Sequence, residues 1–239
     1  MKRIIVLLFL VFASPAWAMS PAILGGAGGA GAAAATPLEV VQSAVATGTD
    51  SIPFVLSGSP VVGNVLIAHV TCSSSITITT LSGWTIIGSA TTIVDRVRNY
   101  EYYHIVVEGD GTDYTFSASG TDVTSGVIYE VQGANTTTPI DGYATPKTAD
   151  DNYGDVTTNG VTPTVVGTLP LTFISTQTAQ AFSAASGWTK DRDGAGEWLD
   201  SAGAHKNALT TDTETEITHQ WTFVGETWVI VNLVLVAPQ

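Results

Sequence analysis

The chain has 239 residues, of which 44% are apolar and only 12% are charged. This length suits one large or two small domains, and an abundance of Thr, Ser, Val and Gly favours short strands over long helices. The formal net charge is −13. Because such an acidic chain repels phosphate backbones, the sequence argues against nucleic-acid binding. Cys72 is the single cysteine, which excludes a disulfide framework.

Residues 1–18 are predicted to be a cleaved signal peptide. Lys2 and Arg3 precede an apolar run at 4–12, and the sequence AWA at 16–18 has small residues where a signal peptidase cleaves. The apolar run is too short to span a bilayer. We therefore expect a protein that is secreted or held at the cell surface, with no transmembrane segment in its mature chain.

A Gly/Ala-rich segment at 19–36 follows and is predicted to be a flexible leader. The globular part begins near residue 37 and contains an internal repeat. The sequence VVG at 61 returns at 165, and SGWT at 82 returns at 186, both at an offset of 104 residues. Farther along, 126–131 resembles 228–233 at a slightly different offset. We therefore predict two diverged copies of one β unit, at 37–145 and 146–239, as two sandwiches or one fused sandwich.

The first copy divides into short strands at turn signals. Alternation of side chains is clearest at 97–107, where a period of two indicates a strand. Short strands at this spacing predict an all-β protein, an antiparallel β-sandwich of the jelly-roll kind. The other strands predicted in this copy lie at 65–71, 76–80, 85–89, 114–118 and 127–131.

The final predicted strand, 228–236, is almost wholly apolar. Such a strand is typical of a sheet interior. A terminal apolar strand can also pair across chains, so the sequence leaves self-assembly into a polymer open.

Catalytic motifs are absent from the sequence. The four histidines stand apart without a zinc-binding HExxH pattern, and there is no GxSxG nucleophile elbow. Glu101 and Glu130 both lie on predicted strands and form the one carboxylate pair that we considered for glycoside cleavage. Nothing in the sequence pairs them, so we expect a protein that is not an enzyme.

Aromatic side chains suggest a sugar-binding alternative. Tyr100, Tyr102 and His104 share one face of the longest predicted strand, and Trp198 lies in a hairpin that the first copy lacks. Flat side chains on a sheet face can stack against sugar rings. The same residues could instead fill the core between two sheets, which is the commoner role of aromatic residues in sheets.

An acidic turn suggests a calcium alternative. Asp191, Asp193 and Glu197 surround a glycine turn, and calcium binds several carboxylate and carbonyl oxygens within a short loop. The competing interpretation is an acidic hairpin turn in which Asp and Gly serve backbone geometry. Calcium is the one cofactor that the sequence leaves open.

Four short motifs carry a family resemblance: GNxLxA at 63–68, SGWT at 82–85, YTF at 114–116 and TPID at 138–141. The chain resembles uncharacterised repeat modules of secreted bacterial proteins and of phage virion or tail-associated proteins. The resemblance implies a β-sandwich with paired half-repeats, and it supplies no catalytic residues.

Together these observations predict a non-enzymatic extracellular or surface module for adhesion or assembly. Loops displayed on a rigid sandwich would bind a surface protein or a glycan. The first alternative is a lectin-like carbohydrate-binding module assisted by calcium. The second is a polysaccharide-degrading enzyme.

Overall fold

Sixteen β-strands make up the regular structure of the described residues, among which there is no helix. The computed structural model describes residues 36–92, 96–149, 154–177, 181–193, 199–206, 217–218, 220–223 and 228–237. All pairings between strands are antiparallel. The predicted all-β, antiparallel fold class is therefore confirmed.

The strands fall into two series along the chain. The first series is β1 (Glu39–Gly48), β2 (Ser51–Val55), β3 (Val65–Ser73), β4 (Thr85–Thr92), β5 (Val97–Ile105), β6 (Asp113–Ser117) and β7 (Thr124–Gln132). The second series is β8 (Ile140–Tyr143), β9 (Lys147–Ala149), β10 (Gly154–Thr157), β11 (Leu169–Thr176), β12 (Ser183–Ala184), β13 (Thr189–Asp193), β14 (Asp200–His205), β15 (Gln220–Phe223) and β16 (Trp228–Leu235).

Each series forms one large and one small sheet. The large sheets have the orders β1-β7-β3-β5-β4 and β8-β16-β11-β14-β13, with β9 also paired to β16. The small sheets are β2-β6 and β10-β15-β12. The second large sheet thus repeats the strand order of the first, with β11 at the place of β3. This correspondence supports the predicted repeat, although a duplication as its origin stays a prediction.

The sheets stack in four layers. The outer face of the first large sheet packs on β2 and β6 through a core that includes Phe54 and Phe116. The outer face of the second large sheet packs on β10 and β15, where Trp221 is buried. The inner faces of the two large sheets pack on each other, with Ile67 and Leu171 in the shared core. We call this inner contact the seam.

This layering explains the apolar strands at the centre. β3, β7 and β11 are buried along nearly their whole length because a sheet covers each of their faces. Strands buried on both faces lose the polar alternation of surface strands. β16 lies between β11 and β8, so the final apolar strand is an interior strand, as predicted, and is not available for pairing with another chain.

The repeated sequence motifs are turns of special backbone geometry. Gly83 and Gly187 of the two SGWT motifs have φ values of 81° and 83°, and the glycines of the two VVG motifs are also left-handed. An L residue is strained in that region, which is why glycine recurs there. In both SGWT turns the backbone N–H of the tryptophan donates to the backbone carbonyl three residues earlier, at 3.1 Å.

Three details differ from the sequence expectation. The predicted strand at 76–80 forms only an isolated bridge, between Ile78 and Ala118. β8 at 140–143, assigned to the first repeat, pairs with β16 in the second large sheet, so the second unit begins before residue 145. Strand pairing also makes Val127 equivalent to Val231, because Val127 is paired with His69 in the first large sheet and Val231 is paired with Phe173 in the second. The offset is therefore 104 residues here too, and not the smaller one inferred from the sequence.

Candidate functional site

A patch of polar side chains interrupts the apolar seam. Alternate residues of a strand share a face, so each of the strands β3 and β5 sends two polar groups inward, and β11 and β14 each send one. All of them have no exposed surface: His69, Thr71, Asn99, Glu101, Ser175 and Ser201. Buried polar groups require partners, and these groups provide partners for one another.

A chain of hydrogen bonds crosses the seam through this patch. Glu101 Oε1 lies 2.9 Å from His69 Nδ1, and His69 Nε2 lies 2.6 Å from Ser175 Oγ. Ser175 Oγ also contacts Thr71 Oγ1 at 2.6 Å and Ser201 Oγ at 2.8 Å. The network therefore links the two large sheets through side chains of both halves.

Three further contacts fix the carboxylate and the imidazole. Asn99 Nδ2 donates to Glu101 Oε1 at 2.6 Å, and the Tyr143 hydroxyl donates to Glu101 Oε2 at 3.0 Å. Burial, and then the charge of Glu101, raise the pKa of Tyr143 well above its ordinary value. The His69 ring stacks on Phe173 with centroids 5.1 Å apart and planes 4° apart.

The order carboxylate, imidazole, hydroxyl is the order of a serine hydrolase triad. Two features of the seam prevent that chemistry in this arrangement. Ser175 has no exposed surface, so a substrate cannot reach its hydroxyl. β11 is also paired on both sides, with β14 and β16, so its N–H groups serve the sheet and are not directed at a developing oxyanion. The network acts here as a polar cross-link between sheets.

The seam opens at one end into a cleft of about 430 Å³, which we call the seam cleft. Ser73 and Gln177 lie two residues beyond Thr71 and Ser175, so the cleft is the next layer outward from the network. Arg96 Nη1 donates to Gln177 Oε1 at 2.8 Å and connects the two halves across the cleft. The described lining consists of Ser73, Arg96, Asp122, Val123, Gln177 and Leu199.

Two buried polar atoms lie directly behind this cleft. Asn99 Oδ1 and Ser125 Oγ have no hydrogen-bond partner among the described residues. Both residues are fully buried, and both are paired with Thr71 in the sheet. They therefore belong to the same layer as Ser175, one step inside the lining of the cleft.

The predicted sugar-binding row lies in the core. Tyr100, Tyr102 and His104 are 7%, 0% and 8% exposed, and they pack between the first large sheet and its small sheet. Tyr102 stacks on Phe116 with centroids 5.2 Å apart, and burial raises its pKa to about 12. The proposed binding face is therefore wrong for these three residues, because the small sheet covers the face that they share. Trp198 lies outside the described residues.

His104 has a structural partner at each nitrogen. Its Nδ1 lies 2.8 Å from the Gly83 carbonyl oxygen, and its Nε2 lies 2.7 Å from Asp110 Oδ2. Partial burial opposes ionisation of Asp110, but hydrogen bonds from the Val107 N–H and from His104 hold the pKa of its carboxyl below the ordinary value. His104 thus joins the SGWT turn to the turn after β5.

The acidic turn of the second half is only partly described. The Asp191 carboxylate lies 2.6 Å from His205 Nδ1, so it has a partner within the sheet. Glu197 lies outside the described residues, as does the side chain of Asp193. Within the described ranges, no three His, Cys, Asp or Glu side chains gather as metal ligands would. Calcium binding at 191–197 stays a prediction.

Glu101 and Glu130 do not form a carboxylate pair. Glu101 faces the seam, whereas Glu130 lies on the opposite face of the same sheet, in alternation with Tyr129 and Val131 of the seam core. Glu130 is buried and accepts hydrogen bonds from the Val61 N–H at 2.8 Å and from Asn64 Nδ2 at 2.5 Å. Its role is to hold the loop before β3.

The sequence did not predict the seam network, because its members are far apart in the chain. His69 and Ser175 are separated by 106 residues. Two signals were present: polar residues inside otherwise apolar strands, and the 104-residue offset, which relates Thr71 to Ser175.

These features define a class of protein: an all-β, antiparallel chain whose two sandwiches meet through a polar seam. A comparison with family models found no match, and searches of curated proteins and of solved structures found none either. No helix among the described residues is long and apolar enough to cross a bilayer.

Proposed function

We propose that this protein is an exported, non-enzymatic module that attaches to, or helps to assemble, an extracellular or cell-surface structure. The observation that supports this proposal most directly is a pair of matched turns with exposed valines. Val61 and Val62 are each 62% exposed, and Val166 of the equivalent turn is 59% exposed. Exposed apolar groups gathered on one surface are typical of interaction sites.

The first valine turn is held rigidly. Gln42 accepts hydrogen bonds from the Ser57 hydroxyl at 3.0 Å and from the Gly58 N–H at 3.1 Å. Gln42 also donates to the buried carboxylate of Glu130, which binds the Val61 N–H. A loop that is already ordered loses little conformational entropy when it binds a partner. This rigidity is consistent with a β-sandwich that presents its turns to a binding partner.

Both valine turns lie at the same end of the molecule. His69 contacts Phe173 and Thr71 contacts Ser175, so β3 and β11 run side by side in one direction across the seam. The turns that precede these two strands are therefore neighbours at the end opposite the seam cleft. Two apolar turns on one end could bind a partner together, and more tightly than either alone.

The edge strands of the large sheets indicate that a partner binds at the turns and does not add a strand to a sheet. The outer edge strands β1, β4, β8 and β13 of the two described large sheets are each irregular, and such bulges hinder strand addition. The irregular positions are Val41 in β1, residues 88–90 in β4, Asp141 in β8 and Asp191 in β13. Assembly through added strands is accordingly not part of the proposal.

The experiment compares surface attachment by the mature chain and by valine variants. Fluorescently labelled protein is added to cells of the producing strain from which its gene has been deleted. We expect saturable binding that weakens at least about tenfold in the double variant Val62→Ser/Val166→Ser, since each buried valine contributes roughly 1.5 kcal/mol. Val55→Ser is the matched control, because Val55 is 58% exposed on β2.

Three results would overturn the proposal. The first is an absence of saturable binding, and the second is equal binding by wild type and double variant. The third is covalent labelling of native Ser175 by a fluorophosphonate, which would reveal an accessible serine nucleophile. Thermal unfolding of each variant checks that the surface substitutions leave the fold intact.

A further inference from the structure

We propose that the seam cleft binds a neutral polyhydroxylated ligand, such as the end of a sugar chain. This inference rests on the proposed role as a surface-binding module and names a ligand class and a second site for it. The site is distinct from the aromatic row at Tyr100 and Tyr102, which is buried under the small sheet. It is also at the opposite end from the valine turns.

The cleft is built by both halves of the chain. Ser73, Arg96 and Asp122 come from the first half, and Gln177 and Leu199 come from the second. Its volume of about 430 Å³ lies within the range of small-molecule sites. The hydrogen bond from Arg96 to Gln177 crosses the cleft and fixes the orientation of two polar groups before any ligand enters.

The orphaned atoms behind the cleft provide an independent reason to expect a ligand. The Asn99 amide nitrogen donates to Glu101, which assigns the amide orientation, because a flipped amide would direct its oxygen at a carboxylate. The Asn99 oxygen therefore points away from Glu101 and lacks a donor among the described residues. Ser125 Oγ has no partner there either. Because neither residue has exposed surface, a ligand in the cleft would reach these atoms only through an ordered water, which buried polar atoms of this kind ordinarily bind.

The mixture of charges selects the ligand class. A cationic ligand would meet the Arg96 guanidinium, and an anionic ligand would meet the Asp122 carboxylate on a chain of net charge −13. Hydroxyl groups both donate and accept, so they can bind Asp122, Gln177 and Arg96 of the lining alike, directly or through one water. Val123 and Leu199 supply an apolar wall for the C–H face of a sugar ring.

The test titrates cellotetraose, maltotetraose and chitotetraose, each at millimolar concentration, into the isotope-labelled mature chain. Nuclear magnetic resonance spectra report which side-chain amides shift. We expect at least one tetrasaccharide to shift the Asn99 and Gln177 amides. Gln177→Ala should weaken that binding at least about tenfold. Gln132→Ala removes an exposed amide at the far end of β7 and should leave binding unchanged.

The proposal fails if none of the three sugars binds, if the shifts lie elsewhere, or if Gln177→Ala binds as wild type does. Unchanged backbone resonances away from the cleft show that the variant is folded. The cell-attachment experiment separates the two proposals. If the protein attaches to cells but binds no sugar, only the proposal of a cleft site fails. If it binds sugar in the cleft but does not attach to cells, only the proposed function fails.

Discussion

Thr71 Oγ1 and Ser175 Oγ lie 2.6 Å apart, although 104 residues separate them in the chain. They occupy equivalent positions on β3 and β11, which hold the same place in their two sheets. His69 and Phe173 have the same offset, and their rings stack. The two halves therefore pack on each other at the seam through residues at equivalent positions.

The Thr71–Ser175 contact should appear as a coupling free energy. Thr71→Val and Ser175→Ala each remove one hydroxyl, and each should lower the free energy of unfolding by about 1–3 kcal/mol, because partners are left unsatisfied. The double variant should lose about 1 kcal/mol less free energy of unfolding than the two single variants lose together. Urea unfolding of the four proteins measures this cycle. Strict additivity would show that the hydroxyls do not interact.

His69→Phe should destabilise the protein by about 3 kcal/mol. Phenylalanine keeps the stacking on Phe173, but it removes the partner that lies 2.9 Å from the buried Glu101 carboxylate. Removing one member of a buried polar pair is costly, and it leaves the Glu101 carboxylate with only its hydrogen bonds from Asn99 and Tyr143. Urea unfolding at neutral pH gives the size of the effect.

A second substitution separates the loss of the partner from a loss of packing. Adding Glu101→Gln to His69→Phe removes the buried carboxylate that has lost its imidazole partner and keeps a side chain of similar volume, so part of the lost stability should return. If the double variant is no more stable than His69→Phe alone, the imidazole stabilises the fold through its other contacts, such as that with Ser175, and not through Glu101.

The sequence predicted the strands well wherever one turn motif or one alternating run defined them. The glycines of VVG and SGWT have left-handed backbones, and in the first copy these turn motifs located the starts of β3 and β4. β1 and β2 were missed, because 39–55 mixes small and polar residues without a clean period. The 76–80 segment alternates like a strand but pairs at a single position, since pairing depends on distant neighbours.

The candidate site was less predictable, for a physical reason. The seam network needs Glu101, His69 and Ser175 from three strands and two sheets, and no local pattern encodes that meeting. The aromatic row was placed correctly on one strand face. Whether that face meets solvent or a second sheet is decided by β2 and β6, which the strand itself does not specify.

Cys72 should be inert in the folded protein. Burial raises the pKa of its thiol to about 12, although the nearby charge of Arg98 acts in the opposite direction. At pH 8 only about one thiol in ten thousand is then ionised, and the thiolate is the reactive form. Mass spectrometry after iodoacetamide treatment should show no adduct on native protein and a complete adduct in denaturant. Rapid native alkylation would contradict the buried position.

Alkaline pH should destabilise the fold. Burial raises the pKa values of Tyr102 and Tyr114 to about 12, above the ordinary value of about 10. The folded state therefore keeps protons that the unfolded state loses, so the contribution of these tyrosines is complete below pH 10 and declines as the pH rises towards 12. Urea midpoints from pH 8 to pH 12 should fall in that interval.

Tyr114→Phe supplies the control for the alkaline effect. It removes one titrating hydroxyl and keeps the ring that packs against Trp84, so the decline with pH should become shallower. Ultraviolet absorbance of tyrosinate should rise late in the wild-type titration and together with unfolding. An equally steep decline in the variant would assign the alkaline loss to other groups.

The stacking of His69 on Phe173 also has a consequence for symmetry. In a two-fold dimer of identical chains, a residue beside the axis must face its own copy, so histidine would meet histidine and phenylalanine would meet phenylalanine. Two halves on one chain are free of that restriction. At the seam an imidazole therefore stacks on a benzene ring, and a threonine contacts a serine. Two identical subunits related by a two-fold axis could not form this asymmetric polar network.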